Sequence, residues 1–164
     1  MTKLDLTVRA LVAALMLSIP NIVCAQTVDP TADRTAIEKV MRDYVEAYSR
    51  GDMALMMKFV HLPLTVAEPK GFRSLATSDE AVALYTKVRD AAVKQGFAKS
   101  QWIDFGVKLL GPSYAIAGGA FVRYKADGSE LNRAGGTYVL NKVDGEWKVG
   151  VGMNYPAKDA LVPR

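Results

Sequence analysis

Residues 36–69 read AIEKVMRDYVEAYSRGDMALMMKFVHLPLTVAEP, and this stretch decides the fold. Its first half predicts a helix over residues 35–50, because apolar side chains recur every three or four residues, at Ile37, Val40, Met41, Tyr44 and Tyr48. Gly51 suits the left-handed conformation that ends many helices, and Asp52 is a residue type that caps the next one. The stretch therefore predicts two helices that meet at a tight corner.

The second half of the stretch leads from a helix into a strand. The second helix is expected to carry apolar residues up to Val60 and to stop at Pro63, because proline disrupts a helix interior. Leu64–Val66 then predicts a strand that turns at residues 69–71, which read Pro-Lys-Gly. Helices therefore precede the first strand.

A third helix and four more strands follow. Thr77 and Glu80 have the spacing of a capping box, and Gly96 is expected to end the helix that starts there. Apolar and polar residues then alternate, which predicts strands over 100–109, 114–125, 130–143 and 146–155. One face of the first of these is expected to hold Gln101, Ile103, Phe105, Val107 and Leu109. Asp-Gly pairs at 127–128 and 144–145 are typical of hairpin turns, so the pattern predicts an α+β domain with an antiparallel meander.

Glycines inside the predicted strands indicate the shape of the sheet. A strand glycine costs up to about 1 kcal/mol relative to alanine, so it is typical of a bend or of a close approach by another backbone. Some of these glycines can also simply fill tight spots beside helix side chains. The expectation is a curved sheet that wraps round a helix and leaves a cavity. The glycines are Gly106, Gly118, Gly119, Gly135, Gly136, Gly150 and Gly152.

Short motifs mark the chain between residues 35 and 155. They are Tyr-Val-x-Ala-x-x-x-Gly-Asp at 44–52, Thr-Val with a later proline and glycine at 65–71, Tyr-Val-Leu at 138–140 and Gly-Glu-Trp-Lys-Val at 145–149. Together with the order of elements, they resemble the nuclear transport factor 2-like (NTF2-like) superfamily, which includes ketosteroid isomerase and SnoaL-like proteins. The resemblance implies a cone-shaped fold with three N-terminal helices on a curved, mostly antiparallel sheet. Because the superfamily holds isomerases, cyclases, dehydratases, hydrolases and members with no known activity, it does not fix the reaction.

Two residues match the isomerase branch of that superfamily. Tyr44 falls where the branch has its oxyanion-stabilising tyrosine, and Glu68 falls where it has its carboxylate base. An enolisation needs such a base together with a donor aimed at the developing oxyanion. Residues 132–137, however, hold no carboxyl group that would supply the branch's second acid. Each residue also has a structural interpretation, Tyr44 as a packed core tyrosine and Glu68 as a solvated turn residue.

Five further residues are candidates for contact with a ligand. His61, the only histidine, is expected at the end of the second helix, where capping or packing is its commoner role, and alone it excludes a histidine-rich metal site. Asp104 can line a cavity beside Trp102 or simply face water. Tyr48 lies on the apolar stripe of the first helix, and Tyr138 belongs to a set of aromatic residues larger than one small core needs.

The N-terminal 25 residues are interpreted as a signal peptide. Lys3 and Arg9 precede an apolar run over residues 10–19, and small residues up to Ala25 suit a signal peptidase. The run is too short to span a bilayer, so an exported, periplasmic protein is expected rather than one with an uncleaved anchor. Cleavage would remove the only cysteine, Cys24, and with it any disulfide.

The rest of the chain is divided into three parts. Residues 26–34 are expected to be a flexible linker, 35–156 one NTF2-like domain, and 157–164 a tail. The tail is expected to be disordered or left over from tag removal, because residues 161–164 read Leu-Val-Pro-Arg, as a common tag-removal protease leaves.

Charge narrows the class of partner. The chain carries 21 Lys and Arg against 17 Asp and Glu, a net charge of +4, and the bases are scattered among acids, so nucleic acid is not an expected partner. The preferred interpretation is an exported domain, free of the membrane after cleavage, that binds a small apolar or aromatic molecule in an apolar cavity without a cofactor or metal. Two alternatives stay open: a cofactor-free isomerase or dehydratase that uses Glu68 and Tyr44, and a structural or protein-binding homodimer.

Overall fold

The computed structural model describes residues 30–164, so the predicted signal peptide and residues 26–29 lie outside the described residues. The described elements are, in chain order, α1 (Pro30–Arg50), α2 (Met53–Met57), β1 (Val60–Glu68), β2 (Gly71–Leu75), α3 (Ser78–Val93), β3 (Phe97–Leu109), β4 (Tyr114–Lys125), β5 (Glu130–Val143), β6 (Glu146–Pro156) and a short 3₁₀ helix (Ala157–Asp159).

The strands form one sheet in the order β2-β1-β6-β5-β4-β3. β1 runs parallel to β6, and the other neighbouring strands are antiparallel. Register shifts interrupt every pairing except that of β1 with β2, and such bulges bend a sheet. The predicted α+β fold, with helices on a curved and mostly antiparallel sheet, is confirmed.

α1 lies across one side of the sheet, which we call the inner face. Of the predicted apolar stripe, Ile37, Met41 and Tyr44 are at most 4% exposed, while Val40 and Tyr48 are half-buried. The stripe joins fully buried side chains of the sheet, including Leu64, Leu140 and Val149. Full burial of an aliphatic side chain of this size is worth about 1.5–3 kcal/mol, so this core holds α1 against the sheet.

The first helix begins at Pro30, five residues earlier than the sequence predicts, so the predicted linker is wrong over residues 30–34. Proline fits the first helical position, since its missing N–H has no partner there in any case. Asp33 is buried and accepts hydrogen bonds from Lys142 Nζ at 2.6 Å and Trp147 Nε1 at 2.9 Å. Contacts with distant strands, which local periodicity does not reveal, therefore order this turn.

The second helix is shorter than predicted. Asp52 caps it, with Oδ1 accepting from Leu55 N at 2.9 Å, but the helix ends at Met57. Val60 already pairs with Val149 of β6, and Pro63 lies inside β1. The prediction that Pro63 ends the helix is wrong because parallel pairing with β6 draws the chain into a strand first.

The prediction that five alternating residues share one face of β3 is wrong, because β3 contains a β-bulge. Trp102 pairs with Phe121 and Asp104 with Ala120, so Ile103 is an extra residue in β3. The bulge changes the alternation, and Gln101 and Ile103 face solvent instead of sharing a face with Phe105. Trp102 and Phe105 lie on the same side, with ring centroids 4.8 Å apart.

The predicted capping box, strand bounds and hairpin turn in the rest of the chain are found in the structure. Both hydrogen bonds of the capping box between Thr77 and Glu80 are present, although α3 ends at Val93 rather than at Gly96. β4 and β5 have the predicted bounds, and β6 extends one residue further. Asp144 and Gly145 both have positive φ, 51° and 83°, as a hairpin turn of the predicted kind requires.

The tail is ordered, which corrects the expectation of disorder. Pro163 is buried, and Leu161 N donates a hydrogen bond to the Tyr155 hydroxyl at 3.2 Å. A Cβ atom on Gly106 would lie 2.1 Å from the carbonyl oxygen of Pro163, so glycine lets the tail approach the strand. Gly118 also faces the tail. Its neighbour Ala117 belongs to the core, so Gly118 lies on the side of the sheet away from α1, which we call the outer face. Residues 157–164 therefore cover part of this outer face.

Candidate functional site

A cavity of about 60 Å³ lies between α1, α3 and the inner face of the sheet. Its walls come from every layer of the domain: Tyr44, Val45 and Tyr48 of α1, Tyr85 and Val88 of α3, Ser100 and Trp102 of β3, Phe121 and Arg123 of β4, Tyr138 of β5 and Asn154 of β6. The space is partly open to solvent and is larger than the ~10–15 Å³ that one water molecule needs by the same measure. The core is therefore hollow at this point, but only over a short distance.

Two larger surface grooves share walls with the cavity. The first, of about 560 Å³, lies between α1 and β3 and shares Val45, Ser100 and Trp102 with it. The second, of about 620 Å³, lies between α3 and the ends of β1 and β6 and shares Tyr85, Val88, Tyr138 and Asn154 with it. The cavity thus adjoins open space on two sides.

Four tyrosines form much of the cavity wall. The Tyr44 ring meets the Tyr85 and Tyr138 rings edge to face, at centroid distances of 6.4 and 5.9 Å, and Tyr48 meets Tyr85 at 6.2 Å. The hydroxyls of Tyr44 and Tyr85 interact with each other, which adds to the effect of burial on the pKa of Tyr44. Burial raises the pKa of Tyr44 well above its usual value, and it raises the pKa of Tyr138 in the same way. These hydroxyls therefore stay protonated and serve as neutral hydrogen-bonding groups.

Trp102 joins the cavity to the first groove. Its ring packs against Phe105, Phe121 and Tyr138, with centroid distances of 4.8, 5.5 and 6.1 Å. The indole Nε1 is buried and has no hydrogen-bond partner within residues 30–164. Indole nitrogens usually find a partner when buried, so this one is a donor left available.

Arg123 is the only charged side chain that the described residues contribute to the cavity wall. Its guanidinium lies over the Phe121 ring, 5.2 Å from the centroid, and within residues 30–164 no carboxylate approaches it closely enough for an ion pair. Burial raises the pKa of Tyr48, while the positive charges of Arg123 and Arg89 act in the opposite direction. The part of the cavity wall formed by residues 30–164 is therefore largely aromatic, with one cation and no acid.

The structure separates the two residues of the predicted isomerase pair. Glu68 lies at the exposed end of β1, where its carboxylate is 3.5 Å from the guanidinium of Arg73. It lines the second groove, whereas Tyr44 lines the enclosed cavity. A base and an oxyanion donor that act on one substrate have to reach the same reacting atoms, whereas the Glu68 carboxylate is exposed and paired with Arg73.

The structure brings together four of the residues that the sequence singles out, Tyr44, Tyr48, Trp102 and Tyr138. His61 lies in β1 rather than at a helix end and is half-buried, and Asp104 is exposed beside the bulge; neither lines the cavity or its two grooves. Sequence reasoning missed Arg123, Ser100 and Asn154. For Arg123 a signal existed, since it stands two residues after Phe121 in a strand and so shares its face.

The described part of the chain offers neither a metal site nor a membrane span. Among residues 30–164, no three His, Cys, Asp or Glu side chains come together in a way that could hold a metal ion. Over the same range, no helix combines the length and apolarity needed to cross a bilayer.

Comparison with known families identifies the fold family. A family model described as "NTF2-like protein (DUF6841)" matches residues 32–157, most of the chain. The chain belongs to this NTF2-like family. No curated protein sequence matches it.

Solved structures of other NTF2-like proteins resemble this domain. An NTF2-like protein of unknown function from Shewanella oneidensis MR-1 is 21% identical, with a TM-score of 0.60 over 77% of this chain and 98% of the other. A candidate ketosteroid isomerase from Shewanella frigidimarina is 17% identical, with a TM-score of 0.59 over 73% and 94%. A candidate dehydratase of the NTF2-like family from Streptomyces avermitilis is 17% identical, with a TM-score of 0.58 over 78% and 98%. At these identities the likeness establishes the fold alone.

Proposed function

We propose that this NTF2-like domain binds a small organic molecule in the cavity between α1, α3 and the sheet. The observation that carries the proposal is an unfilled space beside the core that is walled by four tyrosines, Trp102 and Phe121. Ligand sites are typically concave, largely apolar and supplied with a few polar groups, and this cavity has that character. The groove between α1 and β3, which shares Trp102, extends the space beyond the enclosed part.

The isomerase or dehydratase alternative has less support. Two solved structures with this fold are those of a candidate ketosteroid isomerase and a candidate dehydratase. Tyr44 also offers a neutral hydroxyl of the kind that stabilises an oxyanion. Among residues 30–164, however, no carboxyl group lines the cavity, and Glu68 lines the adjoining groove while paired with Arg73. Proton abstraction in the cavity would lack its base, so binding is the function we favour.

The homodimer alternative depends on the outer face of the sheet. Tyr155 and Thr137 lie there, with their hydroxyls 2.6 Å apart, and the tail covers the neighbouring glycines Gly106 and Gly118. A second copy seated on this face would have to displace residues 157–164 or pack against them. This favours binding within one protomer as the primary function.

Filling the cavity tests the proposal. Val45 is half-buried on α1 and lines both the cavity and the first groove, so Val45→Phe is expected to fill the site. We expect a panel of small neutral and anionic aromatic compounds to shift the Trp102 indole signal in ¹H–¹⁵N NMR spectra. Val45→Phe is expected to weaken that binding at least tenfold.

Thr35→Phe is the matched control, because Thr35 is exposed on the same helix and lines none of the three spaces. It is expected to bind like the unmodified protein. Compounds that bind equally well to Val45→Phe, or that shift only residues remote from the cavity, would show that the site is elsewhere.

A further inference from the structure

We infer that the ligand is an organic anion whose carboxylate is held at Arg123, an inference that rests on the proposed binding function. Arg123 is half-buried, lines the cavity and packs its guanidinium over Phe121 at 5.2 Å. A guanidinium presents donors in a planar fork that matches the two oxygens of a carboxylate. The cavity therefore has a charge and a geometry that suit a carboxylate.

Among the described residues, no acid neutralises the charge of Arg123. Within residues 30–164 no acid pairs with it, and no acid lines the cavity. Of the acids that line the adjoining grooves, Glu46 pairs with Arg50 at 3.2 Å, Glu68 pairs with Arg73 at 3.5 Å, and Glu38 is exposed to solvent. A partly buried charge is normally paired, and a bound anion supplies the missing partner.

The unpaired indole of Trp102 points to the same chemistry. Its Nε1 is buried without an acceptor among the described residues, although Trp102 borders the cavity that Arg123 lines. A carboxylate brings acceptor oxygens and no donor, which complements a wall made of an indole N–H, a guanidinium and protonated tyrosine hydroxyls. A neutral amide or alcohol would leave the positive charge unmatched.

The size of the space limits the anion. About 60 Å³ accommodates a carboxylate and the atoms next to it, but not a ring as well. The first groove continues from Trp102 to Phe105 and offers about 560 Å³. The ligand class is therefore a small organic acid with its carboxylate in the cavity and an apolar ring or chain against Trp102 and Phe105.

Matched acid and amide probes test the inference on the full chain. We would titrate ¹⁵N-labelled protein with benzoate and benzamide, and with butyrate and butyramide, and follow the Trp102 indole signal. In each pair the acid is expected to bind at least tenfold more tightly than the amide. Arg123→Gln is expected to weaken the acid at least tenfold and to change the amide less than twofold. Arg133→Gln removes the same charge from an exposed site on β5 and is expected to leave all affinities unchanged.

The outcomes separate the two proposals. Equal binding of acid and amide at Trp102 would overturn the anion preference and leave the binding function standing. If no probe shifts the Trp102 signal, both the proposed binding function and the anion preference are wrong. If Arg123→Gln does not fold, the acid-to-amide ratio of the unmodified protein and of Arg123→Lys decides, and a ratio of one in both overturns the inference.

Discussion

The hydroxyl of Tyr44 sits where an ordinary apolar core would carry phenylalanine. The side chain is 4% exposed on α1, and its hydroxyl interacts with that of Tyr85 on α3. Tyr85 lines both the cavity and the second groove. One hydroxyl pair thus links the core helix to the helix that closes the site.

Replacing Tyr44 by phenylalanine removes the hydroxyl that interacts with the Tyr85 hydroxyl. We expect Tyr44→Phe to lower the free energy of unfolding by about 1 kcal/mol, the usual net worth of a buried hydrogen bond. Urea denaturation measures the change. Tyr114→Phe, at a side chain that is 57% exposed, is the control and is expected to have no measurable effect. Equal stability of both variants would mean that the Tyr44 hydroxyl contributes nothing.

Site residues could be predicted from the sequence where their position follows from the periodicity of a single helix or strand. They could not be predicted where their role depends on how two elements pack together. Tyr44 and Tyr48 come from the helical period of α1, which tertiary packing leaves intact. Arg123 was missed because its importance depends on which side chains of other elements surround it, and none of the described residues that line the cavity is an acid. Glu68 and Asp104 were weighed as pocket residues, but a hairpin and a bulge turn them to solvent.

At the scale of elements, the site depends on how α1 and β3 are held together. Ser49 Oγ of α1 accepts a hydrogen bond from Ser100 N of β3 at 3.0 Å. Arg89 of α3 donates from Nε to the Tyr48 carbonyl at 3.0 Å and from its terminal nitrogen to the Ser49 carbonyl at 3.0 Å. These bonds satisfy carbonyls at the end of α1 that the helix itself leaves free. They fix three elements that contribute residues to the cavity wall.

The curvature of the sheet depends on close contact between β3 and β4 at the bulge. A Cβ atom on Gly119, whose φ is +156°, would lie 1.8 Å from the carbonyl oxygen of Asp104. The nearest atoms are backbone atoms of Asp104 and Phe105, which cannot rotate away as a flexible side chain can. Gly119→Ala therefore has to shift a strand. We expect a loss of at least about 2 kcal/mol in the free energy of unfolding and a displaced Trp102 signal.

Gly150→Ala in β6 is the matched control for that substitution. Its added Cβ would meet Asn141 Oδ1 at 3.4 Å, an ordinary contact, so the change in stability is expected to stay within about 0.5 kcal/mol. Chemical denaturation of both variants makes the comparison. Similar losses for the two glycines would show that the backbone contact at Gly119 is not what holds the strands.

The boundaries of elements were predictable where their cause is local. The capping box at Thr77 and the turn at Asp144 act within a few residues, and both are found in the structure. The end of α2 and the start of β1 were not predictable, because Val60 joins the sheet through Val149, nearly 90 positions later. Competition between a local helix and a distant strand is decided by contacts that a sequence window does not contain.

For the molecule as a whole, the N-terminal turn of α1 is tied to the opposite end of the chain. Asp33 accepts from Lys142 of β5 and from Trp147 of β6. Burial on its own raises the pKa of Asp33, but the hydrogen bonds from Lys142 and Trp147 outweigh it, and the net result is a pKa below the usual value. The folded protein therefore holds a proton on Asp33 less tightly than the unfolded chain does.

A lowered pKa in the folded state fixes the sign of the pH dependence. The stabilisation from Asp33 is complete above the unfolded value, near pH ~4, and is lost as the pH falls through the lower folded value. Asp33→Asn keeps an acceptor for Trp147 but loses the charge that pairs with Lys142. We expect the variant to be less stable by about 2 kcal/mol at pH 7, and the difference to shrink as the pH falls below 4. Urea denaturation at several pH values measures both effects, with Asp90→Asn, at an exposed aspartate of α3, as the control that should follow the unmodified protein. A deficit in Asp33→Asn that stays constant down to acid pH would mean that its cost comes from packing and not from the carboxylate charge.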